Sequence, residues 1–94
     1  MYYNVVETGK RIKALRKERK LTQEQLAEKL NIYVDHLGKI ERGVSGASID
    51  VLVQIALDFN VSLDYLILGK PNKEDIKESL QSVIAQLKGI DEQL

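Results

Sequence analysis

Cysteine and tryptophan are absent from the 94 residues, and histidine (His36), proline (Pro71) and phenylalanine (Phe59) each occur once. The lack of cysteine rules out disulfide frameworks, thiolate zinc sites and cysteine nucleophiles together. With only one histidine besides, a histidine-based metal cluster or catalytic triad is excluded as well. No uncharged apolar run approaches the roughly 18 residues that a membrane span needs. The N-terminal MYYNVV places no basic segment ahead of an apolar one. No signal peptide is therefore expected, and a cytoplasmic location is. Neither sign of charge is in excess, since 14 Lys and Arg balance 14 Asp and Glu.

What is present is the composition of a soluble globular chain, 44% hydrophobic and 30% charged. It suffices for one small domain with a short appendage, not for two cores. The neutral total hides an uneven distribution. Residues 1–47 hold 10 Lys and Arg against 6 Asp and Glu, whereas residues 48–94 hold 4 Lys against 8 Asp and Glu. Segment 10–20, KRIKALRKERK, carries seven basic residues and one acid, Glu18. Such a run is either a solvated helix face or the meeting point for an anionic partner.

With few breakers and no sustained alternation of apolar and polar residues, the spacing is helical throughout. A first helix opens at Asn4, with Glu7 as capping-box partner and Val5, Ile12 and Leu15 on one face, and ends near Lys20. Thr22 and Gln25 form the capping box of a second helix, with Leu26, Ala27 and Leu30 inward and Asn31 as a left-handed exit. After a turn of about three residues, a third helix runs from about Val34 to Glu41, with Leu37 and Ile40 inward and Gly43 closing it. Ser48 caps a fourth helix whose expected core stripe is Ile49, Leu52, Val53, Ala56 and Phe59. Ser62 caps a fifth, Leu63 to Leu68, ending at Gly69. Pro71 breaks the chain, and Asn72 with Asp75 starts a sixth.

Two short helices joined by a tight turn, with a basic helix before them, are a generic pattern. The particular residues are more specific: LTQEQLAEKLNI and LGKIERG, followed by SIDVLVQIALDFNVSLDYLILG. These strings resemble the Cro and lambda-repressor-like helix-turn-helix family, the Xre-type regulators, from about Gly9 to Gly69. The resemblance implies an all-α fold: a five-helix lambda-repressor-like DNA-binding domain over residues 1–69, with helices two and three as the helix-turn-helix. Residues 70–94 would follow as a linker and a C-terminal amphipathic oligomerisation helix. It also implies that the third helix lies in the major groove while the N-terminus of the second faces a phosphate.

The family's base-reading positions fall on Val34, Asp35, His36 and Lys39. Val34 can pack on a thymine methyl, Asp35 can accept from cytosine N4, and Lys39 can donate to guanine O6 and N7. Alternatives stand beside each role. Asp35 also serves as a first-turn acid, His36 as a solvent-facing residue or phosphate donor, and Lys39 as a phosphate contact alone. The phosphate candidates are Lys10, Arg16, Thr22, Gln23, Gly38, Arg42, Ser45 and Ser48, with Arg11 and Lys13 extending the basic surface. Roughly 4–6 phosphate contacts per monomer would make affinity fall steeply with salt. Arg16 and Glu41 match a family ion pair, structural first and phosphate-contacting second. Tyr33 stands where a small polar cap is usual, so the cap of the third helix is missing or supplied by Asp35. Gly38 stands where a serine is frequent, and the usual proline before the fourth helix is lacking.

Beyond Pro71, Ile76, Leu80, Val83, Leu87, Ile90 and Leu94 recur at alternating spacings of four and three, a heptad seam. The seam is expected to dimerise or to pack on the domain's own fifth helix. The favoured function is a dimeric repressor reading an inverted repeat in double-stranded DNA. The alternative is an antitoxin or protein-interaction module in which the tail binds a protein partner. No nucleophile–base pair, carboxylate dyad or phosphate-binding glycine loop points to an enzyme, and no cofactor or metal is called for.

Overall fold

The computed structural model describes residues 3–71. The expected sixth helix and the seam from Ile76 to Leu94 lie outside the described residues. Five α-helices follow one another: α1 (Val5–Glu18), α2 (Gln23–Leu30), α3 (Val34–Glu41), α4 (Ile49–Phe59) and α5 (Leu63–Leu68). There is no strand among the described residues.

Each helix starts on a side chain selected for that task, except one. Asn4 Oδ1 accepts from the amides of Val6 and Glu7 at 3.1 Å. Glu7 does not complete a capping box, because its carboxylate turns instead to Lys10, one turn on at 3.4 Å. At α2 the box is complete: Thr22 Oγ1 accepts from Gln25 N, and Gln25 Oε1 accepts from Thr22 N. Ser48 and Ser62 cap α4 and α5 by accepting from Val51 N and Tyr65 N. Tyr33, before α3, makes no side-chain cap, and Asp35 does not supply one.

Four of the five exits share one device. Lys20, Asn31, Gly43 and Asn60 sit at φ of 59°, 56°, 76° and 54°. After each, the next amide reaches back five residues: Leu21 to Arg16 O, Ile32 to Ala27 O, Val44 to Lys39 O, Val61 to Ala56 O. This is the Schellman closure, which satisfies carbonyls that the helix end leaves open. Leu21, Ile32 and Val61 then pack against the core, whereas Val44 is exposed. The closure at Lys20 ends α1 at Glu18, two residues before the expected end.

The core gathers Ile12 and Leu15 of α1, Leu26, Ala27 and Leu30 of α2, and Leu37 and Ile40 of α3. Val51, Leu52, Ile55 and Phe59 of α4 and Leu66 of α5 complete it with Ala47. Val5 lies half-buried at its margin. The buried face of α4 differs from the expected stripe. Ile49 is 67% exposed and Val53 38%, while Val51 and Ile55 are buried. α4 is apolar around most of its circumference, so spacing alone does not choose the inward face. The choice falls to its neighbours, α2 and α5.

The long helix α1 packs on both α3 and α5. Its crossing with α3 is closest at Gly9. A Cβ there would run into the Ile40 carbonyl oxygen and lie 3.0 Å from that of Glu41. Backbone, unlike the end of a flexible side chain, cannot swing aside, so a methyl would force the two helices apart. Gly9→Ala is expected to lower the unfolding free energy by about 1–3 kcal/mol through overpacking. Alanine is nevertheless the better helix former by about 1 kcal/mol. Urea unfolding midpoints check this; an unchanged or raised midpoint would contradict the close crossing.

Candidate nucleic-acid interface

The helix pair α2–α3 is held at its open end by a charge buried on purpose-built partners. Glu41, the last residue of α3, has a side chain 1% exposed, and that of Arg16, on α1, is 10% exposed. Arg16 Nε donates to Glu41 Oε2 at 2.7 Å, and Nη2 donates to Oε1 at 3.0 Å. Nη1 donates to the Leu21 carbonyl at 2.9 Å. Gln23, first residue of α2, donates from Nε2 to Glu41 Oε1 at 3.0 Å. An ionised carboxylate accepts only, so the nitrogen of the Gln23 amide must be the end that faces it. One carboxylate thus ties the ends of α1 and α3 to the beginning of α2.

This arrangement redefines two of the phosphate candidates. Arg16 is buried with all three guanidinium nitrogens donating inside the domain. Gln23 is half-buried and keeps one Nε2 hydrogen uncommitted. Arg11 is likewise drawn inward: Nη1 donates to the carbonyls of Leu66 and Ile67 at 3.1 and 3.3 Å, closing the C-terminal end of α5. Arg19 does the same for α4, donating to Phe59 O at 3.0 Å with its guanidinium 5.5 Å from the Phe59 ring centroid. Nothing local in the sequence signals these bonds, since they join residues about 40 to 55 positions apart.

Val34, Asp35 and Lys39 are exposed on α3. Together with Gln23, Gly38 and Arg42 they line one concavity of about 220 Å³. Gly38 lies buried in its floor, where an added Cβ would stand 3.1 Å from Arg42 Nη1 and 3.9 Å from the Gln23 amide. His36 is half-buried and does not line it. Thr22 and Lys10 are exposed but stand outside it, Thr22 as the α2 cap and Lys10 in its surface pair with Glu7. Ser45 is half-buried, and Ser48 is exposed with its oxygen committed to the α4 cap.

Two helix N-termini bear on this surface. With no side-chain cap at Tyr33, the first amide bonded back into α3 is that of Leu37, to Tyr33 O. The amides before it are left without helical partners, as are those of Gln23 and Glu24 at α2. Free amides and the positive end of a helix dipole favour an anion. Tyr33 itself is 86% exposed beside Val34. It does not line the concavity of Val34, Asp35 and Lys39, and faces a separate one with Asn31 and Ile32.

Removing one member of the Arg16–Glu41 pair strands the other in the interior. Arg16→Met and Glu41→Leu are each expected to cost about 3–5 kcal/mol, and the double variant to recover most of that loss. A double-mutant cycle by chemical denaturation measures it; purely additive losses would mean that the two charges are not coupled.

The comparisons with known proteins follow the same outline. A family model described as helix-turn-helix matches residues 12–66. The HTH-type transcriptional regulator ImmR of Bacillus subtilis (strain 168) is 35% identical over 88 residues, spanning 88% of this chain and 69% of that protein. The immunity repressor protein of Bacillus phage phi105 is 54% identical over 48 residues, 51% of this chain and only a third (33%) of that protein. Among solved structures, the master regulator for biofilm formation SinR in complex with DNA superposes with a TM-score of 0.58 at 35% identity. That match covers 63% of this chain and 95% of the SinR chain. The match to the family model spans more than half of the sequence and contains both α2 and α3, and the chain belongs to the helix-turn-helix family.

Proposed function

We propose that the protein is a cytoplasmic transcriptional regulator that binds double-stranded DNA sequence-specifically and represses by occupying promoter DNA. The observation that carries this reading is the exposed face of α3. Val34, Asp35 and Lys39 share a concavity with Gln23 and Arg42, and both flanking helix N-termini present free amides. Supporting it, a relative in structure has been solved with DNA and a relative in sequence is named an immunity repressor. In the proposed docking α3 enters the major groove. Lys39 donates to guanine, Asp35 accepts from cytosine N4, and Val34 packs on a thymine methyl. His36 flanks them, donating to a base acceptor or phosphate. Thr22, Gln23, Gly38, Arg42, Ser45, Ser48 and Lys10 lie along the backbone. Two copies, joined through the seam in residues 70–94, would set their α3 helices about 34 Å apart on an inverted repeat.

The commitment of Arg11 and Arg16 inside the domain lowers the number of cations left for phosphate. With Lys39 on a base, Lys10 and Arg42 remain among the phosphate candidates. Lys10 can leave its exposed pair with Glu7 at little cost. The slope of log affinity against log salt should therefore be about −2 per protomer. A slope twice as steep would mean that Arg16, or the exposed Lys13 and Lys17, also reach the backbone.

The test is selection of bound sequences from random DNA, followed by fluorescence anisotropy on the selected site. Replacing Val34, Asp35, His36 and Lys39 together by alanine should leave the helical circular dichroism intact. It should also reduce the preference for the selected site over unrelated duplex by about a hundredfold or more. Retained selectivity would exclude α3 as the reading element, and absence of duplex binding by the unaltered protein at low salt would exclude the function.

A further inference from the structure

The loop between α3 and α4 is fastened from outside by the N-terminal segment. Tyr3 Oη accepts from the Ala47 amide at 3.1 Å and donates to the Ala47 carbonyl at 3.4 Å. A single hydroxyl thereby holds both polar groups of one residue, 44 positions away in sequence. The Tyr3 ring packs against the core, so the hydroxyl is delivered by a fixed body. Neighbouring residues press on the same loop. A Cβ at Gly46 would lie 3.2 Å from Val5 and 3.5 Å from the Tyr3 hydroxyl, and one at Gly43 would lie 2.8 Å from Val6.

Four of the six amides from Gly43 to Ser48 are already paired. Gly43 N donates to Ile40 O, and Val44 N and Ser45 N donate to Lys39 O. Ala47 N goes to Tyr3. The amides of Gly46 and Ser48 have no partner among the described residues, and the Ser48 hydroxyl hydrogen remains free to donate while its oxygen caps α4. Both unpaired amides adjoin Ala47. Lys39 O anchors the loop at its beginning, and Tyr3 anchors it at its end.

We infer that Tyr3 is a positioning residue for phosphate binding: through Ala47 it fixes the Gly46 and Ser48 donors at the start of α4. The inference rests on the DNA-binding reading above. Hydrogen bonds to a phosphate carry no base information but set the protein's register on the duplex. A loop that must be ordered on binding gives up affinity to the entropy of ordering, whereas one already held does not. Tyr3→Phe removes the hydroxyl and keeps the ring, and leaves every residue of the α3 face in place.

Two measurements on the intact chain test this. In the free protein, hydrogen exchange at the Ala47 amide should accelerate by about tenfold in Tyr3→Phe, with amides of the α2–α3 turn unchanged. At a temperature where the variant is fully folded, affinity for DNA should fall by about three- to tenfold, the size expected for one hydrogen bond. The same factor should apply to the selected site and to unrelated duplex. Ile55→Val, a core change two turns along α4 that touches none of the bonds holding the loop and is expected to lower the unfolding midpoint comparably, should leave affinity unaltered. The inference is overturned if Tyr3→Phe binds as the unaltered protein does, if Ala47 exchange does not change, or if Ile55→Val weakens binding equally. Should the unaltered protein bind no duplex, the phosphate role falls with the proposed function. Faster Ala47 exchange alone would then show a loop anchor with a purely structural purpose.

Discussion

A single carboxylate, that of Glu41, decides how the helices of this domain meet. It ends α3, it is almost wholly excluded from solvent, and it accepts from Arg16 of α1 and Gln23 of α2. Burying such a pair contributes little net stabilisation, because desolvation offsets the attraction. What it supplies is direction. An apolar side chain at position 41 would fill the volume without caring how α2 is rotated. A carboxylate requires donors at hydrogen-bonding distance, and so it aligns the N-terminus of α2 with the exposed face of α3. Gly9 makes this reachable, since only a residue without Cβ lets α1 approach the Ile40 and Glu41 carbonyls closely enough.

The basic run at residues 10–20 divides by side-chain type. Its three arginines all turn to carbonyls or a carboxylate within the fold: Arg11 at the end of α5, Arg16 at Glu41 and Leu21, Arg19 at the end of α4. Arg11 and Arg16 are thereby drawn from solvent, whereas Arg19 stays exposed despite its bond, as do Lys10, Lys13, Lys17 and Lys20. The planar guanidinium satisfies several acceptors at once and tolerates partial burial, whereas an ammonium keeps its hydration and snorkels outward. The positive charge of the N-terminal half is consequently less available to an anion than its residue count suggests. The proposed interface relies correspondingly more on neutral donors.

Much of the fold is legible because helix ends are local chemistry. Asn4, Thr22, Ser48 and Ser62 cap where a reading of side chains a few residues apart expects them to, and Asn31, Gly43 and Gly69 exit where a left-handed residue is tolerated. The inward face of α4 was not legible, because Ile49, Val53 and Leu57 are as apolar as Val51 and Ile55. Tertiary neighbours make that choice. At the candidate site, the placement of Val34, Asp35 and Lys39 on one surface follows from helical spacing. The bonds of Arg11, Arg19 and Tyr3 do not follow from it, since each joins residues far apart in sequence. Lysine at position 20 also defies expectation: it takes a positive φ that glycine or asparagine usually fills, so no residue type there signals that α1 ends at Glu18.

Within the proposed docking, Asp35 is where affinity and selectivity part. It lies in the first turn of α3, beside amides without helical partners, and is exposed to water in the free protein. Carrying that charge into a groove walled by phosphates is unfavourable for any duplex, because like charges approach while water is withdrawn. Only a base that donates, cytosine through its N4 amino group or adenine through N6, returns a hydrogen bond. An acid on a reading face therefore weakens binding to most sequences and spares a few. Lys39, one turn away, has the opposite bias: it attracts every duplex and is rewarded further by guanine. Opposed charges one turn apart on the same helix would then favour a guanine and an amino-donating base at neighbouring positions. That discrimination needs no more backbone contacts than the domain already offers.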